Sequence, residues 1–282
     1  MKYLHELLVR ELALFLKKSL AFLYKDFMSE ASYKFAFVAQ FIGIFLSVIT
    51  FFFLSKLFGS AISPYLKPYG GDYFSFVLIG LAFANYLHVS LNSFSNCFRE
   101  AQVLGTLEAI LLTQTEIPTT IFCSALYSFV MTSMRVIVFL LLGVFAFGLE
   151  MGKANFVGAF LILSITILAF SSLGIISASF IMVLKRGDPL NWIFTNVSWV
   201  LGGVFYPVAV LPDWVQRISY LLPITYSLEG MRLALLKGYT IQGLLPDIIP
   251  LLIFTVIMLP SSVWIFQYAV KRAKVDGSLM QY

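Results

Sequence analysis

The chain has 282 residues, of which 60% are hydrophobic, 17% aromatic and only 12% charged, about half the charged share of a soluble domain. That composition excludes a water-solvated surface over most of the chain, predicts a polytopic membrane protein, and leaves no stretch polar and long enough to be a soluble domain. The excess of 19 Lys and Arg over 14 Asp and Glu, a net +5, reads here as a topology signal, with no nucleic acid among the expected partners.

Residues 1–34 form the first predicted element, a cytoplasmic amphipathic helix. Leu4, Leu8, Leu12, Phe15, Leu16, Phe22 and Leu23 share one side of a helical wheel, with Lys2, Glu6, Arg10 and Lys17 opposite. Such a helix lies in the headgroup plane with cations toward anionic lipid, or packs on a partner. Its charges interrupt the apolar region that a cleavable signal peptide needs.

A hydrocarbon core of roughly 30 Å takes about 20 apolar residues of helix. Six segments meet that length: 35–57, 73–98, 119–149, 156–184, 191–210 and 247–270. They make 35–270 an all-α transmembrane domain, followed by a cytoplasmic tail at 271–282. The fifth is the weakest, because Pro207 and Pro212 interrupt its far end. The connection GSAISPYLKPYGGDYF after the first span reads as a turn-dense outer cap, and KRGDPLN at 185–191 as a short, sharp turn. With the N-terminus in the cytoplasm, that side carries twelve Lys and Arg and the other side five. Both termini are therefore predicted to be cytoplasmic.

Between the second and third spans lies REAQVLGTLEAILLT, residues 99–113. Val103, Leu104, Leu107, Ile110 and Leu111 form an apolar stripe; Arg99, Gln102, Thr106 and Thr113 group elsewhere, and Glu108 adds a charge away from the stripe. This is either a plain amphipathic loop helix or a charged helix on which a soluble partner pushes. Gly105 permits a bend or a close backbone approach, and Glu116 and Pro118 mark the start of the next span.

Arg135 lies well inside the third span, where a charge is costly and must face the bundle interior or a cavity. It is a candidate for the translocation path, binding an anionic group, or else it pairs with a carbonyl or a neighbouring span. His88 reads as a packing residue, and Cys97 and Cys123 as buried free thiols with no disulfide or metal spacing.

The last connection, GGVFYPVAVLPDWVQRISYLLPITYSLEGMRLALLKG at 202–238, is too polar to span and too apolar to be a free loop. Pro207, Pro212 and Pro223 divide it, with short helices expected at 213–221 and 224–237. Irregular backbone at membrane depth survives only when buried in protein or lining a wet cavity, so the segment 207–238 is expected to re-enter the outer leaflet as a hairpin. Trp214, Tyr220 and Tyr226 suit the interface. Glu229 and Arg232, three apart, form either a surface ion pair or part of a gate.

The chain contains no phosphate loop, no H-E-x-x-H and no G-x-S-x-G. With only His5 and His88, and almost no carboxylates in the spans, it is not expected to be an enzyme or a proton pump.

Two of these segments resemble a known family, the membrane permease subunit of type-2 ATP-binding-cassette (ABC-2) exporters. REAQVLGTLEAILLT is similar to its E-x-x-x-G-T-L-E-x-L-L-x-T-P coupling region. The 202–238 segment is similar to its S-G-x-F-F-P-x-x-x-L-P-x-W-x-Q-x-x-x-x-x-N-P-L-T-Y-x-x-E-x-x-R pattern. Gln114 stands where the family has Pro, and Leu222 where it has Asn. The resemblance implies a homo- or heterodimeric permease in the plasma (bacterial inner) membrane, surrounded by lipid and docked on two separate ABC ATPase subunits. Those subunits bind ATP and Mg, leaving this chain without a cofactor or metal. It places Glu100, Gly105, Thr106, Leu107 and Glu108, beside Arg99, in a coupling helix (99–114) that contacts the ATPase. It places Phe205, Pro207, Leu211, Pro212, Trp214, Pro223, Tyr226, Glu229 and Arg232 in an outer gate. The cargo expected is a lipid, a glycan or an amphipathic drug. The rival readings are an ATPase-independent secondary transporter or channel, which needs paired ionisable groups at the midplane, and a membrane-embedded enzyme, which needs a convergent acid–base cluster.

Overall fold

A computed structural model describes residues 2–103, 117–184 and 189–275. Every regular element among them is helical: α1 (Lys2–Ser32), α2 (Lys34–Leu66), α3 (Tyr73–Val103), α4 (Ile117–Phe147), α5 (Phe156–Leu184), α6 (Pro189–Leu201), α7 (Asp213–Ser219), α8 (Pro223–Lys237) and α9 (Leu245–Val275), with 3₁₀ turns at Lys67–Tyr69 and Val208–Val210. The all-α reading is correct, and five helices are long and apolar enough to cross a membrane, at Phe37–Leu57, Tyr73–Asn96, Ala125–Phe147, Phe156–Met182 and Leu245–Arg272.

Three expected boundaries differ. The turn-dense cap begins later, because α2 continues through Pro64 to Leu66 before the chain turns at Gly70 and Gly71, both at positive φ. A proline so close to a helix end removes one donor without breaking a long ladder. At the other end of the next span, Arg99–Val103 are not the start of a separate surface helix. They prolong α3, since no glycine or proline lies between Gly80 and Val103 to stop it.

Of the fifth expected span, 191–210, residues 191–201 lie in α6 and 208–210 in a 3₁₀ turn. Gly202 and Gly203, the latter at φ 77°, end α6 before Pro207. Its two ends are nevertheless held far apart on α3. Asn191 donates a hydrogen bond to Asn92, whereas Val204, just past α6, lies beside Gly80. Twelve residues of α3 separate those points, about 18 Å at 1.5 Å per residue. α6 therefore runs alongside much of α3 despite its length.

α3 is the centre. It packs against α2, α4, α5, α6 and α8, and α5 packs in turn against α9. Leu78, Ile79, Leu87 and Leu91 of α3, Ile162 and Phe170 of α5, and Leu228 and Met231 of α8 belong to one buried cluster. Apolar area alone drives little association among lipid-surrounded helices, so close approach at small residues matters more. Gly174 of α5 is such a point: a Cβ there would sit 2.4 Å from the Ser90 carbonyl oxygen and 3.0 Å from that of Leu91. Both are helix backbone and cannot yield. Gly174→Ala is expected to push α5 off α3 and destabilise the protein by about 1–3 kcal/mol, read as a lower melting temperature in detergent. An unchanged melting temperature would mean that the two helices are not in this contact.

The 67–72 turn, the 148–155 connection and the 202–244 segment meet at one end: Tyr69 bonds Glu229, and the Asn155 amide and side chain donate to the Ala234 and Tyr239 carbonyls. The first and the last of them are the connections read as outer from the sequence.

Candidate functional site

The hairpin comes from its prolines and glycines. Gly202 and Gly203 end α6, extended Pro207 and Pro212 flank the 208–210 turn, and Pro223 starts α8 where its missing N–H costs nothing. The two expected short helices are present as α7 and α8. Side chains close the loop on itself. Gln216 Nε2 donates to the Leu211 carbonyl at 2.8 Å, Thr225 Oγ1 to that of Ser219 at 2.6 Å, and the Tyr226 hydroxyl to that of Tyr220 at 2.8 Å. Gly238 ends α8 at φ 67°, packed against the Lys153 carbonyl.

Arg232 sits at the middle of this assembly. The reading of Glu229–Arg232 as a surface ion pair is corrected: Arg232 is 2% exposed, and its partners are backbone. Nε donates to the Phe76 carbonyl at 3.1 Å and Nη2 to that of Val204 at 3.0 Å, while the guanidinium lies 3.5 Å from the Phe76 ring centroid. Arg232 thus ties α8 to α3 and to the turn after α6. Gly80 makes room for it, since a Cβ there would stand 2.4 Å from both Nη2 and the Val204 oxygen. Glu229 turns instead to Tyr69, whose hydroxyl donates to it at 2.5 Å. Burial first, then the neighbouring carboxylate, push the Tyr69 hydroxyl well above its ordinary pKa, so it remains a donor.

Further contacts fix the hairpin to the spans. Phe205 stacks on Phe51 of α2 at 5.8 Å and packs against Trp199 of α6 at 5.5 Å. Thr166 of α5 and Ser227 of α8 share a hydrogen bond at 2.8 Å, and Gly230 lets α8 approach Ile162 and Asp247. Pro207 and Pro223 are buried. Trp214 faces outward, 68% exposed, as do Arg217 and Leu221. Of the residues read as a gate, Pro207, Pro223 and Arg232 are buried and Phe205, Leu211, Tyr226 and Glu229 half-buried, whereas Pro212 and Trp214 lie on an exposed rim.

Arg135 has a carboxylate partner. Its Nη2 lies 3.3 Å from Glu30 Oε1 at the end of α1. The same carboxylate accepts hydrogen bonds from Tyr127 of α4 and from Gln40 of α2, the latter at 2.9 Å. Burial pushes the Glu30 carboxyl up, but the bonds from Tyr127 and Gln40 and the Arg135 charge outweigh it and hold its pKa below the ordinary value.

Arg99 is exposed on the last turns of α3, and Glu100 follows it in the helix. Gly105, Thr106, Leu107 and Glu108 lie outside the described residues. The sequence reading missed Tyr69, Phe76, Gly80 and Glu30. Only Gly80, a glycine inside an apolar span, left a trace that could have been followed.

A family model described as ABC-2 type transporter matches residues 20–236, over three quarters of the chain. The match runs from α1 to the end of α8 and so contains both the Arg232 anchor and the Glu30–Arg135 pair. No curated protein matches the chain.

Proposed function

Because the chain belongs to the ABC-2 type transporter family, and is thus a multi-pass permease component of an ABC transporter, we propose that it forms the translocation path of an ATP-driven exporter. Two permease protomers, identical or different, dock on two separate ATPase subunits at the inner face of the plasma (bacterial inner) membrane. Those subunits bind ATP and Mg and supply the hydrolysis. Both termini of the permease are cytoplasmic, residues 99–114 form the coupling segment, and the hairpin lies at the outer face.

The observation that carries the gate reading is the Arg232 anchor. A hairpin bonded to α3 through Arg232, to α5 through Ser227 and to α2 through Phe205 cannot swing as a free lid within one protomer. It moves when the spans move, which supports opening between protomers. ATP-bound subunits impose that motion only by preferring one arrangement of the permease over the other, and the coupling segment is where the preference enters. The cargo is a lipid, a glycan or an amphipathic drug.

Affinity purification of the intact chain tests this reading. An ATP-hydrolysing subunit is expected to co-purify in equal number. Transport of any cargo by the chain alone in vesicles would overturn it.

A further inference from the structure

We propose that Glu30 clasps α1 and α2 to α4, so that the N-terminal helix moves with the span that follows the coupling segment and acts as a second moving part of the drive. This rests on the proposed function and extends it to residues that the coupling motif does not include.

Glu30 lies in the last turn of α1, where a carboxylate faces the negative end of the helix dipole and is disfavoured. Local helix stability does not explain it; its partners do. One carboxylate collects Tyr127 and Arg135 from α4 and Gln40 from α2. Eleven residues earlier, Ser19 and Cys123 touch at 3.4 Å between buried side chains, so α1 lies along α4 over several turns. α4 begins at Ile117, directly after the coupling segment. A displacement of that segment passes into α3, which contains its first residues, and into α4, and through Glu30 into α1 and α2.

The clasp also has room to change. Arg135 meets Glu30 through Nη2 alone, and its Nε is buried with no partner among the described residues. A guanidinium that used both nitrogens would grip the carboxylate in the stronger bidentate form. A single long contact beside an unused donor is what a joint between two arrangements leaves in one of them.

The test needs no known cargo. Arg217→Cys is made in a Cys97→Ser, Cys123→Ser chain, purified with its ATP-hydrolysing subunit and reconstituted. The cysteine is then labelled from outside with a membrane-impermeant maleimide, with and without ATP and vanadate. Nucleotide is expected to change the labelling rate when Glu30 is present. Glu30→Gln is expected to reduce that change about fivefold or more while ATP hydrolysis continues. Exchanging the charges, Glu30→Arg with Arg135→Glu, is expected to restore part of it. A full nucleotide response in Glu30→Gln overturns the clasp, as does a loss of labelling response and hydrolysis in equal proportion, which is what a purely structural role gives. A reporter with Glu30 intact that ignores nucleotide overturns the proposed function itself, and the clasp's role with it.

Discussion

Arg232→Ala is expected to cost more stability than any other single replacement in the hairpin. The substitution leaves the Val204 carbonyl buried without a donor, at about 1–3 kcal/mol, and takes from the Phe76 carbonyl its second donor, beside the helical N–H of Gly80. It also removes a desolvated cation–π contact of about 2 kcal/mol. Replacing buried ion pairs by apolar residues is often harmless, because both charges go together. Here the acceptors are backbone and stay, so that compensation is absent. The loss should come to about 3–5 kcal/mol, large for a single substitution, and lower the melting temperature in detergent by about 10 °C, or prevent the protein from accumulating. Arg232→Lys keeps the charge but cannot reach two carbonyls from one nitrogen in the same fork geometry, and should fall between wild type and Arg232→Ala. A wild-type melting temperature for Arg232→Ala would show that the guanidinium does not hold the hairpin to α3.

The second large effect concerns drive rather than stability. Gly105→Val combined with Glu108→Arg alters the segment that the ABC-2 resemblance assigns to ATPase contact. It replaces none of the residues of the buried cluster of α3, α5 and α8. The variant is expected to insert normally and keep its melting temperature. In complex with the ATPase it should continue to hydrolyse ATP while export falls on the order of tenfold or more, the size of an ordinary coupling free energy. Full export would remove the coupling role from these residues. Arg232→Ala and this pair therefore fail in opposite ways: one loses the fold, the other keeps the fold and loses the work.

Much of the architecture was legible because it depends on local chemistry. Apolar runs of span length gave five of the long helices, and the prolines at 207, 212 and 223 placed α7 and α8 within two residues. What was not legible depends on contacts that leave no side-chain signature. Arg232 pairs with carbonyls 156 and 28 residues away, and a carbonyl looks the same at every position. Read alone, Arg232 three residues after Glu229 suggests a surface ion pair; the fold instead gives each a separate partner. Arg135 announced that a charge in a span needs company, but nothing local singled out Glu30, 105 residues earlier, among the carboxylates of the chain. The continuation of α3 through Val103 was missed because helical periodicity shows that a segment can be helical without showing that it joins its neighbour. α6 was overestimated because the apolar run continues past Gly202 and Gly203, where the backbone no longer does.

The central claim is that force enters at the 99–114 segment from a separate ATP-hydrolysing subunit. It is tested most directly by placing a photo-activated cross-linking residue at Glu108, and separately at Arg217, in intact cells. The account predicts an adduct with the ATP-hydrolysing subunit from position 108 and none from position 217. An adduct from position 217, or none from position 108 while export continues, would contradict it.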